Sequence, residues 1–463
     1  MAIDLERTVS QAGVGVIGKG SRVIEQRGID RIPDDERRGT PRQVGLMWSG
    51  VVLNVQVVVY GALLVTFGLN IWQCVAAIVI GNLTWIVAGL CSLAGPAAGT
   101  TTFTVNRVPF GRLGNRPLAF FNWVMQLGYE VLDLVLMTLA VTALFGLGGI
   151  TLSNSATVTI VLVLAVIQSV LPIVGHAAIT RVLRTLIVPF GALFLMLAWL
   201  TAGRLHLQVT PPADWAVFLG GIALAASGSG LGWSPNAADY SRYLPAAVSR
   251  RGLVGWVLVG GGVPQSLLML LGVAVASVVP SATDPVGGLP TAYPVWFVIP
   301  YLVLLVVQMI ALNAVDLYSS GVTLQAIGIR VSRWQAVALD GVICAVVGLL
   351  VVLSGSFMAF VSNFLLFMIV WLAPWAGVFV VDHLLRKGRY DPVVLGGGGR
   401  AFAPAGIAAQ AAGMIAALLW INTTVFVGPL ASAAGGGADL SAPAGFGVAA
   451  LTYLLLARRD ATR

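Results

Sequence analysis

Apolar runs of about twenty residues recur from residue 44 to residue 457, separated by short segments rich in Gly, Pro and Arg. A bilayer core about 30 Å thick takes roughly 20 such residues per helix. The pattern predicts spans over 44–66, 70–94, 117–146, 155–175, 183–203, 215–238, 252–280, 293–317, 335–353, 356–381, 402–425 and 443–457. Ten-residue stretches of strict alternation, as in an outer-membrane barrel, are absent. The spanning elements are therefore read as helices, whose backbone satisfies its own hydrogen bonds in lipid. The expected fold class is an all-α polytopic membrane protein of about 12 transmembrane helices.

Composition agrees: 58% hydrophobic, 10% charged, mean hydropathy +0.93, against about 25% charged residues in an ordinary soluble domain. The net charge of +8 could suggest a nucleic-acid partner, but its placement argues against one. With the N-terminus inside, 25 of the 26 Lys and Arg residues fall on one side, leaving Arg204 alone opposite. The positive-inside rule then implies an even span count, a cell (plasma or inner) membrane location and cytoplasmic termini. The segments follow: 1–43 as a cytoplasmic lead, mobile apart from an interfacial stretch, and 458–463 as a cytoplasmic tail. Residues 1–43 lack the short apolar core of a cleavable signal, so the first span is expected to be permanent.

Enzyme readings find no support in the sequence. The Gly396 to Gly399 run has no phosphate-loop spacing, and no His, Cys and carboxylate cluster has metal-ligand spacing. Cys74, Cys91 and Cys344 fall within spans and read as small core residues; His176, His206 and His383 fall at loop edges and read as solvated. No cofactor is expected.

Ionisable residues inside a membrane are costly and mark functional sites. Those within spans are Glu130 and Asp133 in the third, Asp316 in the eighth and Asp340 in the ninth, the last read as snorkelling or capping. At 100° per residue, Glu130 and Asp133 lie about 60° apart, and Tyr129 about 40° from Asp133. One helix face thus offers a ring and a carboxylate. Asn313 and Asp316 share the same spacing. The first span carries Asn54 and Gln56; the sixth carries ASGSGLGWSP at 226–235, with Ser229, Gly230 and Trp233. Gly and Pro weaken helices, so the sixth span is expected to unwind there, as transporter helices do where backbone meets substrate at midplane. A close-packing surface is the alternative. Polar signals in spans one and six, and in three and eight, recur five spans apart, as two inverted five-helix repeats would place them.

The segments WSGVVLN (48–54), RVPFG (107–111), GWSPNAADYSRY (232–243), NAVDLYSSG (313–321) and IEQRGIDRIP (24–33) resemble the purine-cytosine permease branch of the nucleobase:cation symporter family. The resemblance implies a leucine-transporter-type fold, with 44–203 and 215–381 as a 5+5 inverted repeat and 402–457 as two extra helices. It also implies a base held between rings from helices three and six. Carried over, Tyr129 stands where relatives commonly have Trp, Asp133 where they often have Asn or Gln, and Trp233 supplies the second ring. Asn313 and Asp316 match the Asn-rich motif of helix eight.

The resemblance further implies sodium binding, in sodium-coupled members, by helix-one carbonyls and helix-eight hydroxyls. Residues 296–313 contain no Ser or Thr. Proton coupling, carried by Asp133, Glu130 or Asp316, is therefore expected over Na+, because a carboxyl withdrawn from water binds a proton more readily. The expected function is import of a nucleobase-like molecule by cation symport with alternating access, by a monomer in the lipid bilayer. The alternatives are a transporter of the same fold for allantoin, a hydantoin, a vitamin or an amino acid, and a channel or receptor.

Overall fold

A computed structural model describes residues 27–205, 211–354, 357–423 and 425–460. His206 and the 24–26 part of the lead motif lie outside the described residues, as do 1–23 and 461–463. Every regular element among the described residues is helical. Eight helices are each long and apolar enough to cross a bilayer, and a bent pair makes a ninth. With Phe357–Arg386, Pro404–Trp420 and Ser441–Ala457 the spanning segments reach the expected twelve.

In chain order they are α1 (Pro41–Val52 plus Val55–Thr66), α2 (Ile71–Ala98), α3 (Asn115–Leu147), α4 (Asn154–Val174), α5 (His176–Ala202), α6 (Trp215–Ser241), α7 (Arg250–Ala276), α8 (Val295–Ile327) and α9 (Arg333–Ser354). Then come α10 (Phe357–Arg386), α11 (Pro404–Trp420) and α12 (Ser441–Ala457). Local chemistry sets several starts. Thr40 and Gln43 form a reciprocal capping box ahead of Pro41, and Asn70 and Gln73 form another at the start of α2. Gln73 also binds the backbone of Ala213, tying α2 to the entry of α6.

Outer helices present apolar faces that suit lipid: Trp72, Val188, Leu195 and Trp199 are exposed. The inner pair, α3 and α8, packs along its length and carries many of the buried polar residues. α8 runs ten residues past the expected 317, because 318–327 packs against α3 and α9 instead of leaving the core. α1 and α7 approach closely through paired glycines: a Cβ on Gly61 would sit 1.9 Å from the Met269 oxygen, and one on Gly272 1.9 Å from the Val58 oxygen.

Several expectations are corrected. Residues 27–40 are strapped down: buried Arg37 donates to the carbonyls of Leu244 and Pro96, and Ile32 N to that of Gly99. Between α2 and α3, residues 99–114 hold the short helices Thr102–Val105 and Arg107–Phe110, in keeping with a loop or short interfacial helix, and Trp375 of α10 donates to Asn106. The glycine run before Arg400 leads into backbone pairing of Arg112 with Arg400 and of Leu113 with Ala401. His383 is buried and bonds Tyr390, while His176 stacks on Tyr243 at 4.1 Å. Asp340 does not snorkel; it is wholly buried.

Candidate functional site

The site grows from two helix breaks. α1 stops at Val52, turns through Leu53 and extended Asn54, and resumes at Val55 after a 62° bend. A broken helix leaves backbone donors and acceptors without partners. Here side-chain amides take them: Asn54 accepts from Val57 N (3.1 Å) and donates to the Val51 oxygen (3.0 Å), and Gln308 accepts from Val55 N (3.2 Å). Gln308 thus brings an α8 amide against the α1 break.

α6 breaks at Gly228–Ser229, where the run of small residues lies. Gln265 of α7 donates to the Gly228 oxygen (2.7 Å) and accepts from the Trp85 indole (2.9 Å). Ser229 donates to the Gly81 oxygen (3.1 Å) and lies 2.9 Å from the Thr84 hydroxyl. Gly230 is pressed on α2: a Cβ there would stand 2.3 Å from both N and Cα of Trp85.

Between the breaks lies a small cavity with about 30 Å³ open to the centre of a water-sized sphere, room for about two ordered waters. Its walls include the rings of Tyr60, Tyr129 and Trp233, with Trp48 edging Trp233 at a centroid distance of 5.7 Å. Its polar edge is acceptor-rich. Gln56 donates to Asp133 Oδ1 (2.9 Å), Gln126 to Asn236 Oδ1 (2.5 Å), and Asn236 to Asp316 Oδ1 (3.5 Å). One N–H of each amide is thereby used inside the wall, while Asp133 Oδ2 is buried with no hydrogen-bond partner among the described residues.

The structure brings Asn54, Gln56, Tyr129, Asp133, Ser229, Trp233 and Asp316 to this cavity. It does not bring Gly230, whose role is packing. Asn313, one helical step off Asp316, turns away: its amide donates to the Glu130 backbone oxygen (3.2 Å) and to Gln168 (2.6 Å). Glu130 likewise points away, fully buried between α3, α8 and α9. Gln126, Asn236, Tyr60, Gln265 and Gln308 were not singled out from the sequence. Tyr60 is one turn from Gln56 and Gln126 one turn from Tyr129, so helical spacing pointed to both. Gln308 is an amide in an otherwise apolar stretch. Among the described residues no group of three His, Cys, Asp or Glu side chains is placed to hold a metal ion.

Comparison with known proteins fits this geometry. The chain is 26% identical over 457 residues to YxlA of Bacillus subtilis (strain 168), assigned as a purine-cytosine permease, spanning 94% of this chain and 96% of YxlA. It is 27% identical over 467 residues to the purine-cytosine permease fcyB of Emericella nidulans, spanning 94% and 88%. Mhp1, a nucleobase-cation-symport-1 family transporter solved in a closed conformation with bromovinylhydantoin bound, superposes with a TM-score of 0.73 at 18% identity over 95% of this chain and 96% of Mhp1. The twelve-helix arrangement is thus the leucine-transporter type, with two inverted five-helix repeats and two further helices. Residues 31–441 match the model of the permeases for cytosine/purines, uracil, thiamine and allantoin, and the chain belongs to that family of membrane transporters and is not an enzyme.

Proposed function

We propose that this permease imports a nucleobase-like heterocycle by proton symport, working as a monomer in the cell membrane with both termini cytoplasmic. The observation that carries the reading is the cavity at the two breaks: aromatic rings from α1, α3 and α6 beside two carboxyls held by amides. Rings stack on any base, because every base has a π-face. Edge hydrogen bonds do the selecting, and an acceptor-rich edge suits a ring that brings N–H donors. Amino-bearing bases such as adenine and cytosine fit it better than rings with carbonyls alone. Because the cavity holds only about two waters, loading a base requires Tyr129 or Trp233 to swing aside.

Proton coupling is supported at α1 and α8. Residues 296–313 offer no hydroxyl from Ser or Thr, and the α1 break is met instead by the Gln308 amide. Carboxyls inside the helix bundle supply proton carriers. The repeat boundaries 44–203 and 215–381, with 402–457 behind, follow the spacing of the breaks. The Arg bias supports the orientation.

Uptake of labelled adenine into proteoliposomes, with pH and sodium gradients imposed separately, tests the reading, using cytosine, hypoxanthine, uracil, thiamine and allantoin as competitors. Accumulation is expected to follow the pH gradient, with amino-bearing bases competing best. Uptake that follows sodium and ignores pH overturns proton coupling. Competition by allantoin or thiamine alone assigns another cargo to the same fold. Asp133→Asn is expected to lose adenine binding while the protein still inserts.

A further inference from the structure

We propose that a basic cleft between the 99–114 connection and the arginine-bearing ends of α10, α11 and α12 binds the phosphate of an anionic phospholipid headgroup, and that the bound lipid clamps the two rear helices to the core. The proposal is independent of the cargo.

The cleft has a volume of about 420 Å³, within the range of about 300–1,000 Å³ usual for small-molecule sites. Three arginines line it, each from a different segment: Arg107 from the connection after α2, Arg386 from the end of α10 and Arg400 from the approach to α11. No Asp or Glu is among the described residues of its wall. Asp382, one turn before Arg386, accepts from Arg386 Nε (2.8 Å) and from the Tyr453 hydroxyl (2.6 Å), and Asp391 accepts from Val393 N (2.8 Å).

The guanidinium groups keep donors to spare. Arg107 uses Nη1 on the Leu395 oxygen (2.7 Å), and the Asp382 bond to Arg386 falls on Nε, with that side chain 42% exposed. Arg400 is exposed, and its side chain has no hydrogen-bond or ion-pair partner among the described residues. Burial and then the like charges of Arg112 and Arg116 push the Arg107 pKa down from the ordinary arginine value. Three cations against one shared carboxylate leave positive charge without a counterpart. An arginine fork matches the paired oxygens of a phosphate.

Position selects a lipid over a phosphate compound in water. α10 ends at Arg386, α11 starts at Pro404 and α12 is lined up at Tyr453 and Ala457, so the cleft opens where three spans leave the hydrocarbon. Val394, Ala405 and Ala457 give it apolar wall, and Val393, Phe402 and Leu455 beside them are exposed. A phosphate among the arginines leaves its acyl chains to these side chains. The arginines also lie on the side that carries 25 of the 26 Lys and Arg residues, and basic clusters on that side attract anionic lipids.

The cleft lies on the seam between core and rear helices. Across that seam Arg112 N bonds the Arg400 oxygen (3.1 Å), Leu113 N bonds the Ala401 oxygen (2.7 Å), and a Cβ on Gly406 would stand 2.0 Å from the Pro109 oxygen. A phosphate shared by Arg107, Arg386 and Arg400 adds a tie across the same line.

The test uses the full chain, freed of lipid in detergent, and follows its apparent melting temperature with dioleoyl-phosphatidylglycerol, dioleoyl-phosphatidylcholine, glycerol phosphate or inorganic phosphate at equal phosphate concentration. A ligand that binds the folded chain raises that temperature. Phosphatidylglycerol alone is expected to do so. Arg400→Ala should raise the half-saturating lipid concentration about tenfold, as expected for one charge-assisted bond, and Arg400→Glu should abolish the shift. Arg181→Glu, an equal charge reversal on the same side but on α5, should keep it. Equal shifts with both lipids overturn the proposal, as does a full shift in Arg400→Glu or an equal loss in Arg181→Glu. A shift by glycerol phosphate or inorganic phosphate as large as that by phosphatidylglycerol overturns the lipid assignment. Should Arg400→Glu fail to run as a single peak, Arg400→Ala decides, because it removes an exposed side chain and nothing that it bonds; unchanged lipid affinity in that variant overturns the proposal.

Discussion

The breaks in α1 and α6 face one cavity but are held by different means. α1 is held by side chains: Asn54 closes both new helix ends and Gln308 reaches across from α8. α6 is held largely by backbone approach: Gly230 lies against the main chain of α2, with Gln265 bridging to Trp85 and the Ser229 hydroxyl bonding the Gly81 oxygen of α2. Amide partners tolerate small movement, since their bonds can lengthen or pass through water. A glycine pressed on backbone tolerates none. The difference predicts that α6 responds to changes of volume and α1 to changes of hydrogen bonding.

The largest effect is expected from Gly230→Ala. A methyl 2.3 Å from Trp85 N and Cα cannot be met by a side-chain rotation, so α6 must part from α2. Overpacking costs about 1–3 kcal/mol in forgiving cores; backbone on both sides places this site at or beyond the upper end. Loss of a monodisperse peak in detergent, together with loss of uptake, is the expected outcome. A normal peak with normal uptake would remove the steric half of the comparison.

Next comes Gln265→Leu. Both ends of this amide are satisfied, so its loss orphans the Gly228 oxygen and the Trp85 indole at once, each at about 1–3 kcal/mol. The apparent melting temperature is expected to fall clearly, and adenine uptake with it. Gln265→Glu, which keeps the acceptor for Trp85 and loses the donor to Gly228, should fall between wild type and Leu. If the Leu variant melts like wild type, the α6 break is held by packing alone.

These contrasts explain what was legible in the sequence. The α6 break was visible because glycines and a proline in an apolar run conflict with a helix. The α1 break left only Asn54 and Gln56 as signs, because its remaining support, Gln308, is 253 residues away. The helix count was readable because bilayer thickness fixes span length and arginines report the side. Side-chain direction was harder. Tyr129, Glu130 and Asp133 fit one broad face by angle, yet only Tyr129 and Asp133 reach the cavity. Asn313 and Asp316 divide in the same way. A 60° step decides between cavity and rear wall only once the neighbouring helices are in place. By sequence Asp340 falls early in its span, close to a helix end, but the ten residues that lengthen α8 supply Ser320 as its partner.

On the α1 side, Gln308→Leu is expected to cost less than Gln265→Leu. It orphans Val55 N, at about 1–3 kcal/mol, but also removes the Gln308 Nε2 group, which is already buried without a partner among the described residues. The two terms oppose, so the melting temperature should drop modestly. A drop as large as that of Gln265→Leu would mean that Nε2 has a partner in the working membrane protein.

The smallest effect belongs to Asn54→Ala, although this residue forms the break itself. Loss of such a cap costs about 0.5–2 kcal/mol, and two features push it to the low end. The residue lines the cavity, whose free volume of about 30 Å³ leaves room for a water to take over either bond. The Gln308 bond to Val55 N, one residue on, remains to hold the bend. Near-normal melting with weakened uptake is therefore expected, because water in place of Asn54 keeps the bonds but loosens the wall that Gln56 and Asp133 build. Collapse of folding in Asn54→Ala, with Gly230→Ala tolerated, would reverse the assignment of the two breaks.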